Sequence, residues 1–391
     1  MTINAGSSSI KFSLFDADTL REDYRGTISG IGFDVSSFTV VGTDDHVVLT
    51  REVQAHDHIH AVSLMRDWIA DHIAAEKITA LGYRLVHGGP SFGQPCLIDD
   101  VVLKELQSVV TLDPEHLPTQ MAIIEQLRGA FTETPHIACF DTAFFHNLPV
   151  ESRRLPLPRK YESQGIRRYG FHGLSYSYLL REFEQVAGHN AARGKVIFAH
   201  LGNGASLAAL YNGQPLDTTM GLTPVGGIPM STRSGDLDPG ILTYLADREQ
   251  LAPEQLRHIV GFESGLLGIS ETTSDMKKLL ELEEHDPRAK EAVDIFCYNV
   301  RKQIGAYAAA LGGLNSLVFS GGIGEVSSIV RNRICDGLEF LGIELDETRN
   351  QSGEECISTD DSQVGVHVLP TNEAMTIARE VDQIIKGDKY E

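Results

Sequence analysis

The sequence predicts an α/β protein built from two duplicated domains, and three observations lead to this fold class. At 391 residues the chain is longer than a single hydrophobic core usually supports, so two domains are expected. Segments with the two-residue period of strands alternate with segments that have the spacing of helices. A unit of strand, small-residue turn and strand occurs twice. Two domains would also create a cleft in which a ligand can bind.

The first of these hairpins spans residues 3–16. Ile10, Phe12 and Leu14 alternate with Lys11 and Ser13, as in a strand with one buried face. The turn before them, residues 4–9 (NAGSSS), offers backbone N–H groups and hydroxyls that an anion can approach closely. A single Ser-rich and Gly-rich hairpin is usually only a hairpin, so this turn alone predicts little.

Residues 61–75 and 119–129 have the apolar spacing of helices, and residues 80–86 and 136–140 have the composition of strands. Because helices and strands alternate along this part of the chain, these segments favour an α/β architecture.

The second hairpin lies near the middle of the chain. Residues 195–200 and 207–211 predict strands, and residues 201–206 (LGNGAS) predict the turn between them. Since two facing hairpins can hold a polyphosphate, the repetition is more informative than either hairpin alone. It predicts a duplicated domain that binds phosphate.

A third glycine-rich turn follows later in the chain. Residues 314–320 predict a strand, residues 321–325 (GGIGE) a turn, and residues 326–341 a helix. This arrangement is typical of a nucleotide site. The sequence contains no P-loop signature and no dinucleotide-binding fingerprint at the start of a helix, so the phosphates are expected to be held in another way.

Composition limits the partners of the protein. The formal net charge of −21 disfavours a surface for nucleic acid or for an anionic membrane, because both require basic patches. No apolar run is long enough to span a bilayer, and no secretory leader is evident at the start of the sequence. The five cysteines are scattered, which fits reduced thiols. We therefore expect a cytoplasmic protein.

Several ordered motifs resemble the acetate kinase family, which belongs to the superfamily of acetate and sugar kinases, Hsp70 chaperones and actin. The resemblance extends over nearly the whole chain. The motifs are residues 4–11 (NAGSSSIK), 83–89 (YRLVHGG), 140–144 (FDTAF), 169–173 (YGFHG), 200–204 (HLGNG), 220–224 (MGLTP) with 232–236 (TRSGD), 321–325 (GGIGE) and 371–373 (TNE).

The resemblance implies two duplicated ribonuclease-H-like, actin-like ATPase domains with an inter-domain active-site cleft. The first would comprise residues 1–145 plus 375–391, and the second, nucleotide-binding domain would comprise residues 146–374. It also implies a homodimer. The implied activity is reversible, ATP-dependent phosphorylation of acetate to acetyl phosphate by direct in-line transfer.

Phosphoryl transfer to a carboxylate requires two anions to be aligned while the developing charge is neutralised. Arg84 and Arg233 have planar guanidinium groups suited to carboxylate and phosphoryl oxygens, and the resemblance gives both a role at the substrate. His172 precedes a predicted helix and is implied to stabilise the transition state. Asp141 ends a strand and resembles the catalytic aspartate of the family. Because the attacking carboxylate is already ionised, we expect Asp141 to orient an arginine or a metal-bound water rather than act as a base.

The resemblance also assigns the nucleotide and the metal. Asn4 and Glu373 are implied to bind Mg²⁺ (or Mn²⁺), which takes few protein oxygens and keeps water and phosphate ligands. The residues implied to contact ATP or ADP are Lys11, His200, Leu201, Gly202, Asn203, Gly204, Asp275, Met276, Lys277, Gly322, Ile323, Gly324, Glu325 and Val326.

This chain departs from the family pattern at Lys277, Val326 and Glu115 and in residues 224–230 (PVGGIPM), which replace the usual Pro-Leu-Glu-Gly-Leu segment. Lys277 replaces an arginine and Val326 replaces an asparagine, which leaves the nucleotide preference open. Glu115 stands beside His116 where the family has a leucine of the acetyl-methyl pocket. The other residues implied to form this pocket are Val86, Phe171 and Pro224.

An ionised Glu115 beside a methyl group would be unfavourable, so we expect Glu115 either to turn toward solvent or to bind a polar group on a larger acid. Other readings of the sequence are a kinase for propionate, butyrate or a functionalised short acid, and an enzyme that uses pyrophosphate. The sequence is also compatible with a protein of a different functional class, a nucleotide-dependent sensor or chaperone-like ATPase, because a fold alone does not fix the chemistry.

Overall fold

The computed structural model describes residues 1–73 and 77–387, and the chain divides into two compact units. The first unit comprises Met1–His146 and Asn372–Glu391, and the second comprises Asn147–Thr371. The sequence had placed these boundaries at 145/146 and 374/375. Residues 388–391 of the predicted first domain lie outside the described residues.

The elements follow one another along the chain in the order of their labels. The strands are β1 (Thr2–Ala5), β2 (Ser9–Phe15), β3 (Glu22–Ser29), β4 (Ser36–Gly42), β5 (Val47–Val53), β6 (Leu81–Leu85), β7 (Cys96–Leu97), β8 (His136–Phe140), β9 (Lys195–Leu201), β10 (Ala205–Tyr211), β11 (Gln214–Thr218), β12 (Ser316–Ser320) and β13 (Gly365–Val368). The helices are α1 (His58–His72), α2 (Asp100–Ser108), α3 (Leu117–Ala130), α4 (Val150–Arg153), α5 (Arg159–Glu162), α6 (Gly173–Ala187), α7 (His189–Ala192), α8 (Pro239–Glu249), α9 (Pro253–His258), α10 (Gly265–Ser270), α11 (Met276–Leu282), α12 (Pro287–Leu311), α13 (Gly321–Val326), α14 (Ser328–Cys335), α15 (Glu347–Ser352) and α16 (Glu373–Lys386).

The two units repeat one sheet topology. The first unit has strand order β5-β4-β3-β2-β1-β6-β8-β7, and the second has β11-β10-β9-β12-β13. In the first unit β1 and β2 are antiparallel and so are β2 and β3, whereas β1 and β6, and β6 and β8, run parallel. In the second unit β9, β10 and β11 are antiparallel neighbours, and β9, β12 and β13 are parallel ones. This repetition confirms the predicted duplicated α/β fold.

The alternation seen in the sequence sets which face of the first hairpin is buried. Ile10, Phe12 and Leu14 are buried in the core, whereas Lys11 is exposed. Helix α1 begins where Asp57 accepts a hydrogen bond from the backbone of His60 at 2.7 Å, as expected of an N-cap residue. The predicted end of this helix at residues 74–75 lies outside the described residues.

One predicted element is wrong. Residues 321–325 do not form a turn before a helix over 326–341; instead they form the short helix α13, and a separate helix, α14, follows. Ser327 has non-helical backbone angles and caps α14 by accepting a hydrogen bond from Val330 at 3.3 Å, so the two helices are separated there. The segment continues through a 3-10 turn at Glu339–Leu341.

The fold places small-residue turns and strand ends where a ligand can approach them. Residues 6–8 connect β1 to β2, and residues 202–204 connect β9 to β10. In each unit, parallel strands end at one edge of the sheet, which is where ligands bind in open α/β sheets. Within the described residues, no helix combines the length and apolar character needed to cross a bilayer.

Candidate active site

In the first unit, an arginine and an aspartate at neighbouring strand ends form a close ion pair. Arg84 lies near the end of β6, and Asp141 directly follows β8, which pairs with β6 in parallel. The Nε atom of Arg84 lies 3.0 and 3.1 Å from the two carboxylate oxygens of Asp141, and its Nη2 lies 2.6 Å from Oδ2. Asp141 therefore lies against an arginine, and the role expected for it stays a prediction.

Burial and charge act together on this pair. Asp141 is 1% exposed, and burial raises the pKa of its carboxyl group, although the Arg84 guanidinium offsets part of that rise. Burial would lower the pKa of Arg84, but the carboxylates of Asp141 and Glu373 raise it above its ordinary value. Arg84 thus keeps its positive charge while it is held in a fixed orientation.

Asn4 and Glu373 complete this cluster. The Nδ2 atom of Asn4 donates to Glu373 at 2.9 Å, and its Oδ1 accepts from Arg84 Nη1 at 2.9 Å. Arg84 Nε lies 3.7 Å from a Glu373 oxygen. Lys11 is the strand partner of Asn4, and its side chain therefore points to the same face. The first unit brings together the two residues predicted to bind metal, the lysine predicted to bind the nucleotide and the arginine predicted to bind the substrate.

The residues of the first unit that were predicted to contact the acyl group differ in exposure. Val86 is buried, and its backbone N–H donates to the side chain of Gln120 at 3.2 Å. His116 Nδ1 lies 2.8 Å from Asp113 at the start of α3. Glu115 is exposed, which agrees with the expectation that it turns toward solvent.

In the second unit, His172 and Arg233 converge on the turn between β9 and β10. His172 has a left-handed backbone conformation with φ near 60° directly before α6, a strained conformation for a non-glycine residue. A Cβ atom built on Gly204 would lie 3.0 Å from His172 Nε2 and 3.3 Å from Arg233 Nη1. A side chain at this position would press against the ends of both side chains, and glycine lets His172 and Arg233 approach the turn.

Of the second-unit residues predicted to contact the acyl group, Phe171 is buried and Pro224 is half-buried. The Pro224 carbonyl accepts a hydrogen bond from Arg233 Nη1 at 3.2 Å. Pro224 therefore helps to place the arginine through its backbone.

Two histidines are held by serine hydroxyls that the sequence analysis did not identify. The rings of His172 and His200 have centroids 4.4 Å apart. His172 Nδ1 lies 2.9 Å from Ser206 Oγ, and His200 Nδ1 lies 2.9 Å from Ser175 Oγ. Ser175 follows His172 by three positions on α6, and Ser206 pairs with His200 across β9 and β10. The sequence carries no direct signal for these two contacts, because the serine one helical turn from His172 binds His200 and the serine that pairs with His200 binds His172.

A cavity of about 550 Å³ in the second unit brings together most of the predicted nucleotide residues. The turn after β9, the start of α11 with its N-cap residue, and α13 supply the predicted residues. Its wall includes residues that were not predicted, among them Ser231, Leu280 and Ile329. The predicted residues that line it are Gly202, Asn203, Asp275, Met276, Lys277, Gly322, Ile323 and Val326.

Among the predicted nucleotide residues that do not line this cavity are Leu201, Gly324 and Glu325. Leu201 is fully buried in the core, so its side chain is not available to a ligand, and Gly324 is buried behind the cavity wall. The carboxylate of Glu325 turns back and accepts a hydrogen bond from the backbone of Gly321 at 2.8 Å. Glu325 thereby binds the N-terminus of its own helix, where a negative charge is favourable.

The other end of α13 is held by a buried arginine that sequence reasoning missed. Arg331 is 1% exposed. Its Nη1 donates to the carbonyls of Gly324 and Glu325, at 2.8 Å each. Its Nε and Nη2 donate to the side chain and carbonyl of Asn350 at 2.8 and 2.6 Å. Arg331 therefore fixes the helix that forms one wall of the cavity.

A sequence profile of the acetokinase family matches residues 1–379. The chain belongs to this family. The chain is 40% identical to an acetate kinase of Rhodopseudomonas palustris over 396 aligned positions, which cover 100% of this chain and 99% of that protein. It is also 40% identical to an acetate kinase of Treponema denticola, with 99% of each chain covered. The resemblance expected from the motifs is thereby confirmed.

Solved structures of kinases that act on short carboxylates are also similar to this chain. The acetate kinase of Porphyromonas gingivalis has a TM-score of 0.88 at 34% identity, covering 98% of both chains. A propionate kinase of Francisella tularensis has a TM-score of 0.92 at 32% identity, again covering 98% of both chains. The chain is an enzyme, a phosphotransferase that uses a carboxyl group as acceptor.

Proposed function

We propose that this member of the acetokinase family transfers the γ-phosphoryl group of ATP to acetate and forms acetyl phosphate reversibly, as an acetate kinase. The observation that carries the proposal is the approach of His172 and Arg233 to Gly204, next to the cavity lined by Gly202 and Asn203. A phosphoryl group at this turn would meet the side chains of His172 and Arg233.

The reaction requires no base. An acetate oxygen forms a bond to the γ-phosphorus as the bond to the bridging oxygen of ADP breaks, and the attacking carboxylate is already ionised. What the protein must supply is positive charge in a fixed geometry. Each unit carries part of it, with Arg84 held by Asp141 in the first and Arg233 with His172 in the second. A nucleotide sensor would not require these arginines.

The apolar part of the cavity wall favours a nucleotide over pyrophosphate as the phosphoryl donor. Met276, Leu280 and Ile323 give its wall an apolar portion, which suits the flat face of a nucleobase. Pyrophosphate has no apolar part to bury there. We therefore assign ATP as the donor and keep pyrophosphate as an outcome of the assay.

Acetate is the acceptor proposed first because Glu115 is exposed, so the change from leucine does not place a carboxylate against a methyl group. The similarity to a propionate kinase makes propionate the second candidate. Butyrate and functionalised short acids are the remaining candidate acceptors.

Asn4 and Glu373 are the residues that would hold Mg²⁺ (or Mn²⁺). In the described part of the chain, no group of three or more His, Cys, Asp or Glu side chains could bind a metal ion. The Glu373 carboxylate fits an ion that takes few protein oxygens together with waters and phosphates, and Asn4 holds that carboxylate at 2.9 Å. A cation bound with ATP would neutralise charge on the phosphates.

Homodimer formation is part of the proposal. Helix α8 buries none of its residues, although it is eleven residues long. Ile241 and Tyr244 on this helix are large apolar residues that are exposed, as are Leu237 just before it and Phe262 after α9. Such a group of side chains is typical of a protein interface. A cytoplasmic location and the lack of nucleic-acid partners remain predictions from the sequence.

The proposal is tested by trapping the acyl phosphate with hydroxylamine. The purified protein is supplied with ATP or pyrophosphate, with Mg²⁺, and with acetate, propionate or butyrate in turn. We expect the highest kcat/KM with ATP and acetate. Acyl hydroxamate formed from none of the short acids would refute the proposal, and turnover with pyrophosphate alone would replace the donor.

Two variants test the arginine roles in the same assay. Arg84→Ala and Arg233→Ala should each lower kcat by about 10²-fold or more, because a preorganised donor at a developing charge contributes ~3 kcal/mol. Arg21→Ala, which removes an exposed arginine paired with Asp23, is the matched control and should leave kcat unchanged. Near-parental turnover in both test variants would exclude the two arginines as substrate ligands.

A further inference from the structure

A chain of polar contacts in the second unit connects His200 to the helix that lines the nucleotide cavity. Ser175 Oγ lies 2.9 Å from His200 Nδ1 and 2.7 Å from Thr371 Oγ1. The backbone N–H of Thr371 in turn donates to Glu325 Oε1 at 3.3 Å. The same carboxylate oxygen accepts from the backbone N–H of Gly321 at 2.8 Å. The contacts thus run from a histidine of the phosphate turn to the first residue of α13.

Helix α13, which these polar contacts reach, has little stability of its own. Helix α13 is six residues long and three of them are glycines, which are poor helix formers. Gly321 has φ near 75°, and a Cβ atom there would lie 2.7 Å from the Leu201 carbonyl, so the helix starts in tight contact with the end of β9. Its position must therefore be set by contacts outside the helix, and Glu325 provides such a contact at the N-terminal end.

At its other end, the series of polar contacts reaches the residues proposed to bind the phosphoryl group. The His200 ring packs against the His172 ring, with centroids 4.4 Å apart. Gly202, which lies between the two ends, would place a Cβ atom 3.8 Å from His200 Nε2 and 3.9 Å from the Gly322 backbone nitrogen. A shift of the His200 ring would consequently reach both His172 and the turn that holds the phosphates.

We propose that Ser175, Thr371 and Glu325 are positioning residues that hold the His200 ring and helix α13 in one arrangement, so that the phosphoryl group and the nucleoside are aligned together. This inference rests on the proposed phosphoryl transfer from ATP. None of the three residues needs to touch a substrate. Thr371 is the central member, because its hydroxyl faces Ser175 and its backbone N–H faces Glu325.

The two contacts of Thr371 can be removed separately. Thr371→Val deletes the hydroxyl but keeps the shape and the backbone N–H, so it interrupts only the contact with Ser175. Glu325→Gln keeps the shape but removes the negative charge at the start of α13. We expect Thr371→Val to lower kcat roughly three- to tenfold, the effect of one neutral hydrogen bond, with little change in the KM for ATP. Glu325→Gln should mainly raise that KM, by roughly tenfold, since charged hydrogen bonds are stronger.

Controls separate positioning from general stability. Thr371→Ser keeps the hydroxyl and should restore kcat. Thr218→Val removes a buried hydroxyl that donates to the Leu207 carbonyl at 3.0 Å in the same unit, and it should leave kcat at the parental value. The double variant Thr371→Val with Glu325→Gln should lose less activity than the product of the single losses, because neighbours in one network are not additive.

A second measurement does not depend on turnover. The ¹⁵N signals of the His200 ring report which nitrogen carries the proton, and they should shift in Thr371→Val and return in Thr371→Ser. A parent protein that forms no acyl phosphate refutes the proposed function, and the ring signals still test the positioning contact. An active parent with unchanged kcat and unchanged His200 signals in Thr371→Val overturns the inference alone.

Discussion

Replacing Asp141 by asparagine tests whether this residue acts by holding Arg84. The carboxylate receives the Arg84 Nε–H at 3.0 and 3.1 Å and an Nη2–H at 2.6 Å. Asparagine has nearly the same shape, but it has only one acceptor oxygen, and its NH₂ group would face the N–H donors of the guanidinium. The change therefore removes the charge and half of the acceptors without creating a cavity.

The expected loss of stability follows from what remains around Arg84. Removing one partner of a buried ion pair costs about 3–5 kcal/mol when the other charge is left alone. Here the Arg84 side chain is 17% exposed and keeps Asn4 at 2.9 Å and Glu373 at 3.7 Å. We therefore expect the free energy of unfolding to fall by about 2–3 kcal/mol, below that range. A misdirected guanidinium should lower kcat by about 10²- to 10³-fold.

The measurement combines the hydroxamate rate with denaturant unfolding. Glu283→Gln is the matched control, because Glu283 accepts two hydrogen bonds from Arg333 at 2.7 Å each, in another part of the chain. The control should lose some stability and retain kcat, whereas Asp141→Asn should lose both. If Asp141→Asn kept kcat within threefold of the parent, holding Arg84 would not be what Asp141 contributes.

Four further predictions follow from single contacts. Gly204→Ala places a Cβ atom 3.0 Å from His172 Nε2 and should lower kcat at least tenfold (roughly 1.4 kcal/mol) without a change in Tm; equal rates would contradict the convergence at this turn. Arg331→Met leaves four buried carbonyl oxygens without their donor, so unfolding experiments should show a loss of about 3 kcal/mol, together with a raised KM for ATP. Glu115→Leu should change kcat/KM for acetate less than about tenfold, since the side chain is exposed, and a larger gain with acetate would indicate that Glu115 faces the acid. With a thiol reagent at pH 8, Cys356 should react first, because burial raises the pKa of the other four thiols; a fast phase that survives Cys356→Ser would contradict this.

The strands and their duplication were predictable because the information is local. A period of two in residues 10–14 places Ile10, Phe12 and Leu14 in the core and Lys11 at the surface, although Ser13 is also buried, and small residues after β1 and β9 mark turns. The repeated hairpin then implies the repeated sheet. The same reasoning placed Asp141 at the end of a strand and Arg84 within the strand predicted over residues 80–86.

The conformation of residues 321–325 could not be obtained in this way. Three glycines in five residues predict a turn by propensity, yet the segment is helical because Glu325 binds its start and Arg331 binds its end. Arg331 also requires Asn350, which is 19 positions away, to satisfy its remaining donors. Partners this distant leave no periodic signal in the sequence.

The hydrogen bonds between the serine hydroxyls and the two histidines are still harder to predict from the sequence. Ser175 meets His200, which is 25 positions away, and Thr371, which is 196 positions away. A serine in the first turn of a helix is more simply explained by helix capping, so no local rule distinguishes it. Such contacts become visible only when the topology has brought α6, β9 and the segment after β13 together.

The geometry of Arg84 explains why this position requires arginine rather than lysine. A guanidinium has five N–H donors, and hydrogen bonds within the described residues use one on Nε, one on Nη2 and one on Nη1. One N–H on each terminal nitrogen remains, and two such donors match the two oxygens of a carboxylate or phosphoryl group. Asp141 and Asn4 therefore orient the cation without using its full binding capacity. A lysine has three donors on a single nitrogen, so it could be held by Asp141 or bind two substrate oxygens, but it could not do both in a fixed plane.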